Sequence, residues 1–169
     1  MKIKNIIVVT ASLGLLLAVS GCTTKVIDPA TGQSTTQFDP VKTEQVKALL
    51  EPIGAGAVRR IITNSPQHSD EIAGYFRAVG SVFCQMSANN DFDPAYLIGA
   101  ADAATAKFQA NVPQEAIDVK NALVALYKVN FEGRFRAELP PDKWPKNVAD
   151  VICVSIDQGL KDSGKPGSR

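Results

Sequence analysis

From residue 40 to residue 161 the apolar residues recur at intervals of three and four, and this spacing limits how the chain can fold. It places the apolar side chains on one face of an α-helix, whereas a half-buried strand needs strict alternation. No sustained alternation occurs after residue 39. The sequence therefore predicts an all-α fold, a compact bundle of five to six helices that bury their apolar faces against one another.

Prolines mark where several of these helices begin. Asp39-Pro40, Ser65-Pro66 and Asp93-Pro94 each place a capping residue before a proline, the order preferred at helix N-termini. The clearest apolar stripes are Ile72, Phe76, Val79, Phe83 and Met86, and, near the end of the chain, Ala149, Cys153, Ile156 and Leu160.

The segment 41–63 contains Pro52, which cannot donate a backbone hydrogen bond within a helix. It predicts either two short helices or one helix broken at Pro52. Gly54 and Gly56 follow, and both would let another backbone approach closely.

The first 21 residues have the composition of an export signal. Lys2 and Lys4 give a positive start, and no acid precedes Asp28. The apolar run 6–19 would rise about 21 Å as a helix, which is short of the ~30 Å hydrocarbon core of a bilayer. This pattern is typical of a secretory signal peptide rather than of a membrane span.

The signal segment ends in Val19-Ser20-Gly21-Cys22. An aliphatic residue, two small residues and a cysteine in this order resemble the lipobox of bacterial lipoproteins. The resemblance implies cleavage before Cys22, a diacylglyceryl group on its sulfur and usually an N-acyl chain. Thr23 stands where an aspartate would imply inner-membrane retention. The implied location is therefore the cell envelope, with the protein anchored by lipid and facing the periplasm or the cell surface, and the outer membrane is favoured over the inner.

The resemblance covers the leader alone and indicates no family for the mature domain. The predicted divisions are a signal peptide (1–21), a flexible tether (22–39), a helical domain (40–161) and a disordered tail (162–169). Within the tether, Asp28-Pro29 followed by Gly32 has the pattern of a β-hairpin turn.

Two cysteines remain after Cys22. Export permits a disulfide between Cys84 and Cys153, which would close a loop of about 70 residues. The alternative is that both are small buried hydrophobic residues, because each lies in an apolar stretch. The sequence leaves both interpretations open.

The charge of the mature chain excludes one class of partner. Without Lys2 and Lys4 the chain has 16 basic and 17 acidic residues, hence a formal charge of −1. Nucleic-acid-binding domains carry a strong positive field, so no nucleic-acid partner is expected.

Catalytic and metal-binding patterns are weak, and the sequence predicts a non-enzymatic protein without cofactor or metal. The only histidine, His68, lies in a polar helix-start context, and Pro94 replaces the glycine that a calcium loop beginning at Asn89 would need. A cell-wall glycan hydrolase would need two carboxylates across a cleft. The candidates for that alternative are Glu71, Asp102, Glu115, Asp118, Glu132 and Glu138.

One stretch, residues 127–147, combines aromatic and basic residues of the types that dominate interface energetics. The candidate interface residues are Arg134, Phe135, Arg136 and Trp144. The alternative is that Tyr127 and Phe131 belong to the core while Trp144 packs on the following helix.

The leading hypothesis is a lipid-anchored envelope module that binds a protein partner or supports an envelope assembly without catalysis. Two alternatives remain: a cell-wall-acting envelope enzyme, or a carrier of a small apolar ligand held between helices. A pocket lined by the Ala-rich segment 98–106 would favour the carrier, and an exposed apolar patch would favour the binding module.

Overall fold

A computed structural model describes residues 23–29, 31–38, 40–88, 94–132 and 144–168 of the 169-residue chain. Within these residues a short β-hairpin precedes five α-helices. The helices pack together as a bundle, which confirms the predicted all-α architecture after an N-terminal tether.

The hairpin lies inside the predicted tether. Its strands β1 (Thr23–Ile27) and β2 (Ser34–Phe38) are antiparallel. In the register of the two strands, Thr23 lies opposite Phe38 at the open end of the hairpin, and Ile27 lies opposite Ser34 next to the turn. The predicted hairpin is confirmed, and its two outer ends lie side by side.

The turn uses the residues that the sequence singled out. Gly32 has φ +68°, a left-handed conformation that glycine adopts at little cost. Its amide donates to the Asp28 carbonyl oxygen at 2.8 Å, and the Asp28 carboxylate accepts a hydrogen bond from the Thr31 hydroxyl at 2.8 Å. Backbone and side chain of Asp28 therefore both hold the turn.

Five helices follow the hairpin in chain order within the described residues. They are α1 (Pro40–Asn64), α2 (Ser69–Ala88), α3 (Pro94–Thr105), α4 (Gln114–Glu132) and α5 (Trp144–Asp162). A 3₁₀ turn over Pro66–His68 leads into α2, and a second over Ala106–Phe108 continues α3.

The core is built mainly where α5 packs against α1 and α2. Both predicted stripes face it, which confirms their assignment. The fully buried residues of these three helices include Val58, Ile62, Ile72, Phe76, Val79, Phe83, Ile152, Ile156 and Leu160. Burying a large apolar side chain of this kind contributes about 1.5–3 kcal/mol, so these contacts are the main source of stability.

Helix α1 runs without interruption through Pro52, so the prediction of two helices or a break at this position is wrong. Pro52 removes one backbone hydrogen bond, that to the carbonyl of Ala48. Both residues lie on the exposed side of α1, where water can take up the released carbonyl. The cost of the proline is therefore reduced and the helix continues.

Helices α1 and α5 approach each other closely at glycine residues. A Cβ on Gly54 would lie 2.7 Å from the Ser155 side chain, and one on Gly159 would lie 2.7 Å from the Ala55 carbonyl oxygen. Gly54 thus gives α5 room to approach, although what it admits is mainly the Ser155 side chain; the predicted close approach of another backbone occurs at Gly159. Gly56 does not have the predicted role, because a Cβ there would meet nothing within 4 Å.

A disulfide joins α2 to α5. Cys84 and Cys153 are bonded with their Cα atoms 4.9 Å apart, so the disulfide is the interpretation that the structure selects. The sequence separation is 69 residues. A cross-link closing a loop of this length stabilises by about 4 kcal/mol in the chain-entropy description.

The predicted disordered tail is wrong for residues 163–168, which fold back on the bundle. Gly164, with φ +70°, ends α5 in a Schellman motif. Its amide donates to the Lys161 carbonyl and the Lys165 amide donates to the Leu160 carbonyl, both at 2.9 Å. The polar composition that suggested disorder instead supplies the groups that end the helix.

Beyond this motif the tail binds side chains of α2 and α5. The Lys165 ammonium lies 2.6 Å from Asp70 Oδ1 and holds the pKa of that carboxyl below its ordinary value. The Arg77 guanidinium donates to the Pro166 carbonyl at 3.3 Å. The Ser168 amide donates to the buried Asp157 carboxylate at 2.7 Å.

The contact between α1 and α5 predicts opposite effects for two glycine substitutions. Gly159→Ala should lower the free energy of unfolding by about 1–3 kcal/mol, because its methyl would collide with the Ala55 carbonyl. Gly56→Ala is the matched control in open space, and should raise stability by about 0.5–1 kcal/mol through helix propensity. Urea denaturation of both variants measures the difference. Equal effects would show that the two helices do not meet at Gly159.

Candidate functional site

The most distinctive surface of the described residues is one side of α1. Val41, Leu49 and Ile53 are 65%, 62% and 49% exposed. At 100° per residue they share one side of the helix with Ala48, Pro52 and Gly56, within an arc of about 140°. We call these six residues the α1 face; the polar Gln45 interrupts it.

The opposite side of α1 is buried. Leu50, Val58 and Ile62 face the bundle and are at most 7% exposed. One buried stripe is enough to dock a helix onto a core. The exposed apolar residues therefore do not contribute to the described core, and an exposed apolar surface of this kind is a candidate interaction site.

Charges are distributed unevenly around the same helix. Arg59 and Arg60 are exposed and continue the side of the α1 face toward the C-terminus of α1. Lys47 lies on another side, where its ammonium is 3.0 Å from the Asp150 carboxylate of α5 and 3.3 Å from Glu44. Burial by itself lowers the pKa of Lys47, but the two carboxylates outweigh it and raise the pKa above its ordinary value.

A second candidate is a buried polar cluster between α2, α3 and α4. The Lys120 ammonium lies 2.5 Å from Asp102 Oδ1; the Lys120 side chain is 5% exposed and that of Asp102 is 56% exposed. The ion pair explains how a lysine can interrupt the apolar stripe of α4, because a buried ammonium needs a partner.

Tyr75 lies fully buried beside this pair. Burial raises its pKa to about 12, the Asp102 charge acts in the same direction, and the Thr105 hydroxyl acts against it. Thr105 donates its proton to the Ala101 carbonyl at 2.8 Å, and the phenol itself completes no hydrogen bond within the described part of the chain. A phenol of this kind stays protonated at neutral pH, so it is unsuited to act as a general base.

The structure tests only some of the predicted site residues. Cys22, Arg134, Phe135 and Arg136 lie outside the described residues, and Trp144 is described only as the first residue of α5. The predicted interface over these residues therefore stays a prediction. His68 is exposed, as its polar context suggested.

Most of the described carboxylates proposed for the enzyme alternative are exposed on helix surfaces. Glu71, Glu115 and Asp118 are exposed, and Asp102 is bound to Lys120. Asp118 accepts a hydrogen bond from Gln114 at 2.9 Å within its own helix. Glu138 lies outside the described residues, and Glu132 is described only as the last residue of α4. The described acids thus have the surroundings of ordinary surface carboxylates.

Sequence reasoning missed the α1 face. The signal was present, because segment 41–63 has apolar residues on more sides than one buried stripe requires. Pro52 concealed it: two helices broken there would not have aligned Val41 with Ile53. Only the continuous helix brings these residues to one side.

Three further findings bear on function. Among the described residues no group of three or more histidine, cysteine, aspartate or glutamate side chains could hold a metal ion. No helix within the same residues combines the length and apolarity needed to cross a bilayer. Comparison with known proteins found no matching family model, no matching curated protein and no matching solved structure.

The unpaired phenol predicts a stabilising substitution. Tyr75→Phe should raise the free energy of unfolding by about 1 kcal/mol, because it removes a buried hydroxyl without a hydrogen bond and keeps the ring. Tyr96→Phe is the control: Tyr96 is 73% exposed, and its hydroxyl contacts water in both states. Chemical denaturation at pH 7 measures both variants.

The difference in the free energy of unfolding between Tyr75→Phe and Tyr96→Phe should increase in alkaline solution. Above pH 10 a tyrosine loses its proton in the unfolded chain, whereas folded Tyr75 keeps its proton until about pH 12. The free energy of unfolding of the parent protein is therefore unaffected by this titration well below pH 10 and decreases as the pH rises through 10 toward 12. The advantage of Tyr75→Phe over the parent should grow between pH 10 and 11, and a constant difference would contradict a raised pKa.

Proposed function

We propose that this chain is a lipid-anchored protein of the bacterial envelope that works as a non-enzymatic binding module, with the α1 face as its docking surface. The α1 face is the observation that carries the proposal. It is apolar and exposed, it is not used by the described core, and it begins directly after the tether. These are the properties of a surface that a second component covers.

The anchor in this proposal is Cys22. The lipobox resemblance supports acylation there, and Thr23 at the following position favours the outer membrane, with the domain facing the periplasm or the cell surface. Two or three acyl chains hold a protein stably, since each buried CH₂ contributes about 0.8 kcal/mol. The helical domain then needs no membrane-spanning segment of its own.

Anchoring also explains how a modest apolar surface can function. A few exposed side chains give weak binding between molecules that diffuse freely in solution. Confinement to one membrane raises the effective concentration of the two components by orders of magnitude. The α1 face thus suits a protein held close to what it binds.

The acylation step predicts a defined mass. Purified from membranes of a lipoprotein-processing bacterium, the full chain should begin at Cys22 and carry a diacylglyceryl group on its sulfur. Cys22→Ser, or inhibition of lipoprotein signal peptidase, should leave an unacylated product with the leader attached. Intact mass spectrometry measures this. A parent chain that keeps its leader and differs in mass from the Cys22→Ser chain only by the exchange of sulfur for oxygen would refute the anchor.

The docking surface predicts protection at the membrane. With Cys84 and Cys153 bonded and Cys22 acylated, a cysteine at position 49 is the one free thiol of the chain. In washed membranes Leu49→Cys should react with a polar maleimide at least five-fold more slowly than in the purified Cys22→Ser background. The control, Gln158→Cys, lies on exposed α5 surface and should react at the same rate in both.

Each result has a separate meaning. Slow labelling confined to position 49 supports docking through the α1 face. Equal rates at position 49 in membranes and in solution would show that the α1 face stays uncovered and would refute its role, whether or not Cys22 is acylated.

A further inference from the structure

The register of the hairpin fixes where the anchor leaves the domain. Thr23, the residue after Cys22, pairs with Phe38, and Pro40 begins α1 two residues later. Paired Cα atoms in an antiparallel ladder lie about 4.5–5.5 Å apart. The hairpin therefore returns the chain to its starting point before the helix begins.

This arrangement brings the lipid close to α1. Cys22 is one residue away from Thr23, and Pro40 is two residues away from Phe38. At about 3.8 Å per residue, chain connectivity limits the distance between the Cα atoms of Cys22 and Pro40 to about 17 Å, whatever conformation Cys22 adopts. The same stretch fully extended would reach more than 50 Å at about 3.3–3.6 Å per residue. Val41, the first residue of the α1 face, is thus held near the bilayer surface.

The composition of α1 matches a helix that lies on such a surface. Its exposed side presents apolar residues for about 22 Å, from position 41 to position 56 at about 1.5 Å per residue. Arg59 and Arg60 follow on the same side. Interfacial helices combine an apolar face with arginine side chains, whose aliphatic stems lie along apolar surface while the guanidinium groups bind phosphate.

The acidic residues of α1 do not oppose this contact. Glu44 and Glu51 project from the neighbouring side of the helix, about 40° and about 60° beyond the Ala48 edge of the α1 face. Glu44 pairs with Lys47, which in turn binds Asp150 of α5. The positive charge of the exposed side is therefore complementary to anionic headgroups.

We infer that the α1 face lies on the bilayer that carries the acyl chains, with Leu49 and Ile53 at the boundary between headgroups and acyl chains and Arg59 and Arg60 at headgroup phosphates. The inference rests on the proposed function, because it requires the lipid on Cys22. It identifies lipid, rather than a protein or a second copy of this chain, as the component that covers the α1 face. The domain is then held flat on the membrane and not on a loose tether.

The test uses the purified, acylated full chain in vesicles of phosphatidylethanolamine and phosphatidylglycerol. Lipids brominated near the headgroup quench the fluorescence of a tryptophan that contacts them. Ile53→Trp places such a probe on the α1 face, and Gln158→Trp on α5 is the control. The fluorescence of the single native tryptophan, Trp144, is measured in the parent protein and subtracted. Leu49→Trp is a second probe on the α1 face, so that a folding defect in one variant, checked by thermal unfolding, leaves the test intact.

The expected result is at least two-fold quenching at positions 53 and 49, and less than 1.2-fold quenching at position 158. Arg59→Glu combined with Arg60→Glu should reduce the quenching at position 53 at least two-fold in these anionic vesicles. Unquenched tryptophans at positions 53 and 49 on a protein that floats with the vesicles would overturn the inference. So would quenching that both glutamate substitutions leave unchanged.

Failure of the anchor gives a different readout. If the parent chain purified from membranes did not float with vesicles, the proposed acylation would be wrong and the inference would fall with it. If the chain floats and cross-links through Leu49→Cys to a second copy or to another protein without lipid quenching, the inference is overturned while the proposed function stands.

Discussion

The packing of α5 against α1 and α2 is the contact on which the rest of the bundle depends. Ile152, Ile156 and Leu160 fill the space between the two earlier helices, and Gly159 lets α1 come close enough for backbone contact. The Cys84–Cys153 disulfide joins α2 to α5 covalently. The last described helix of the chain thus closes the core that α1 and α2 begin.

Much of this architecture follows from local signals. The stripes of α2 and α5 were predictable because their apolar residues repeat with one period and point to one face. The tail was not, because its composition is that of a disordered segment while its order comes from contacts with distant groups. Lys165 bonds to Asp70 and Ser168 bonds to Asp157, and neither pairing leaves a local sequence pattern.

The candidate site was less predictable than the fold. The sequence directs attention to residues 127–147, where aromatic and basic types are concentrated, whereas three of the five exposed large apolar side chains of the described residues lie on α1. Whether Pro52 breaks a helix depends on where the released carbonyl points, and that depends on tertiary packing. The alignment of Leu49 with Ile53 was hidden for the same reason.

Because of the hairpin, the distance that the N-terminal spacer spans does not depend on how many residues it contains. Since strands β1 and β2 run in opposite directions, adding one residue to each would move the Asp28–Gln33 turn outward and leave the gap between Thr23 and Phe38 unchanged. The distance between the helical body and a surface that holds the N-terminal end of the hairpin would then depend on the width of the hairpin and not on the number of residues in it. Unzipping the hairpin, rather than lengthening it, is what would allow the helical body to move away.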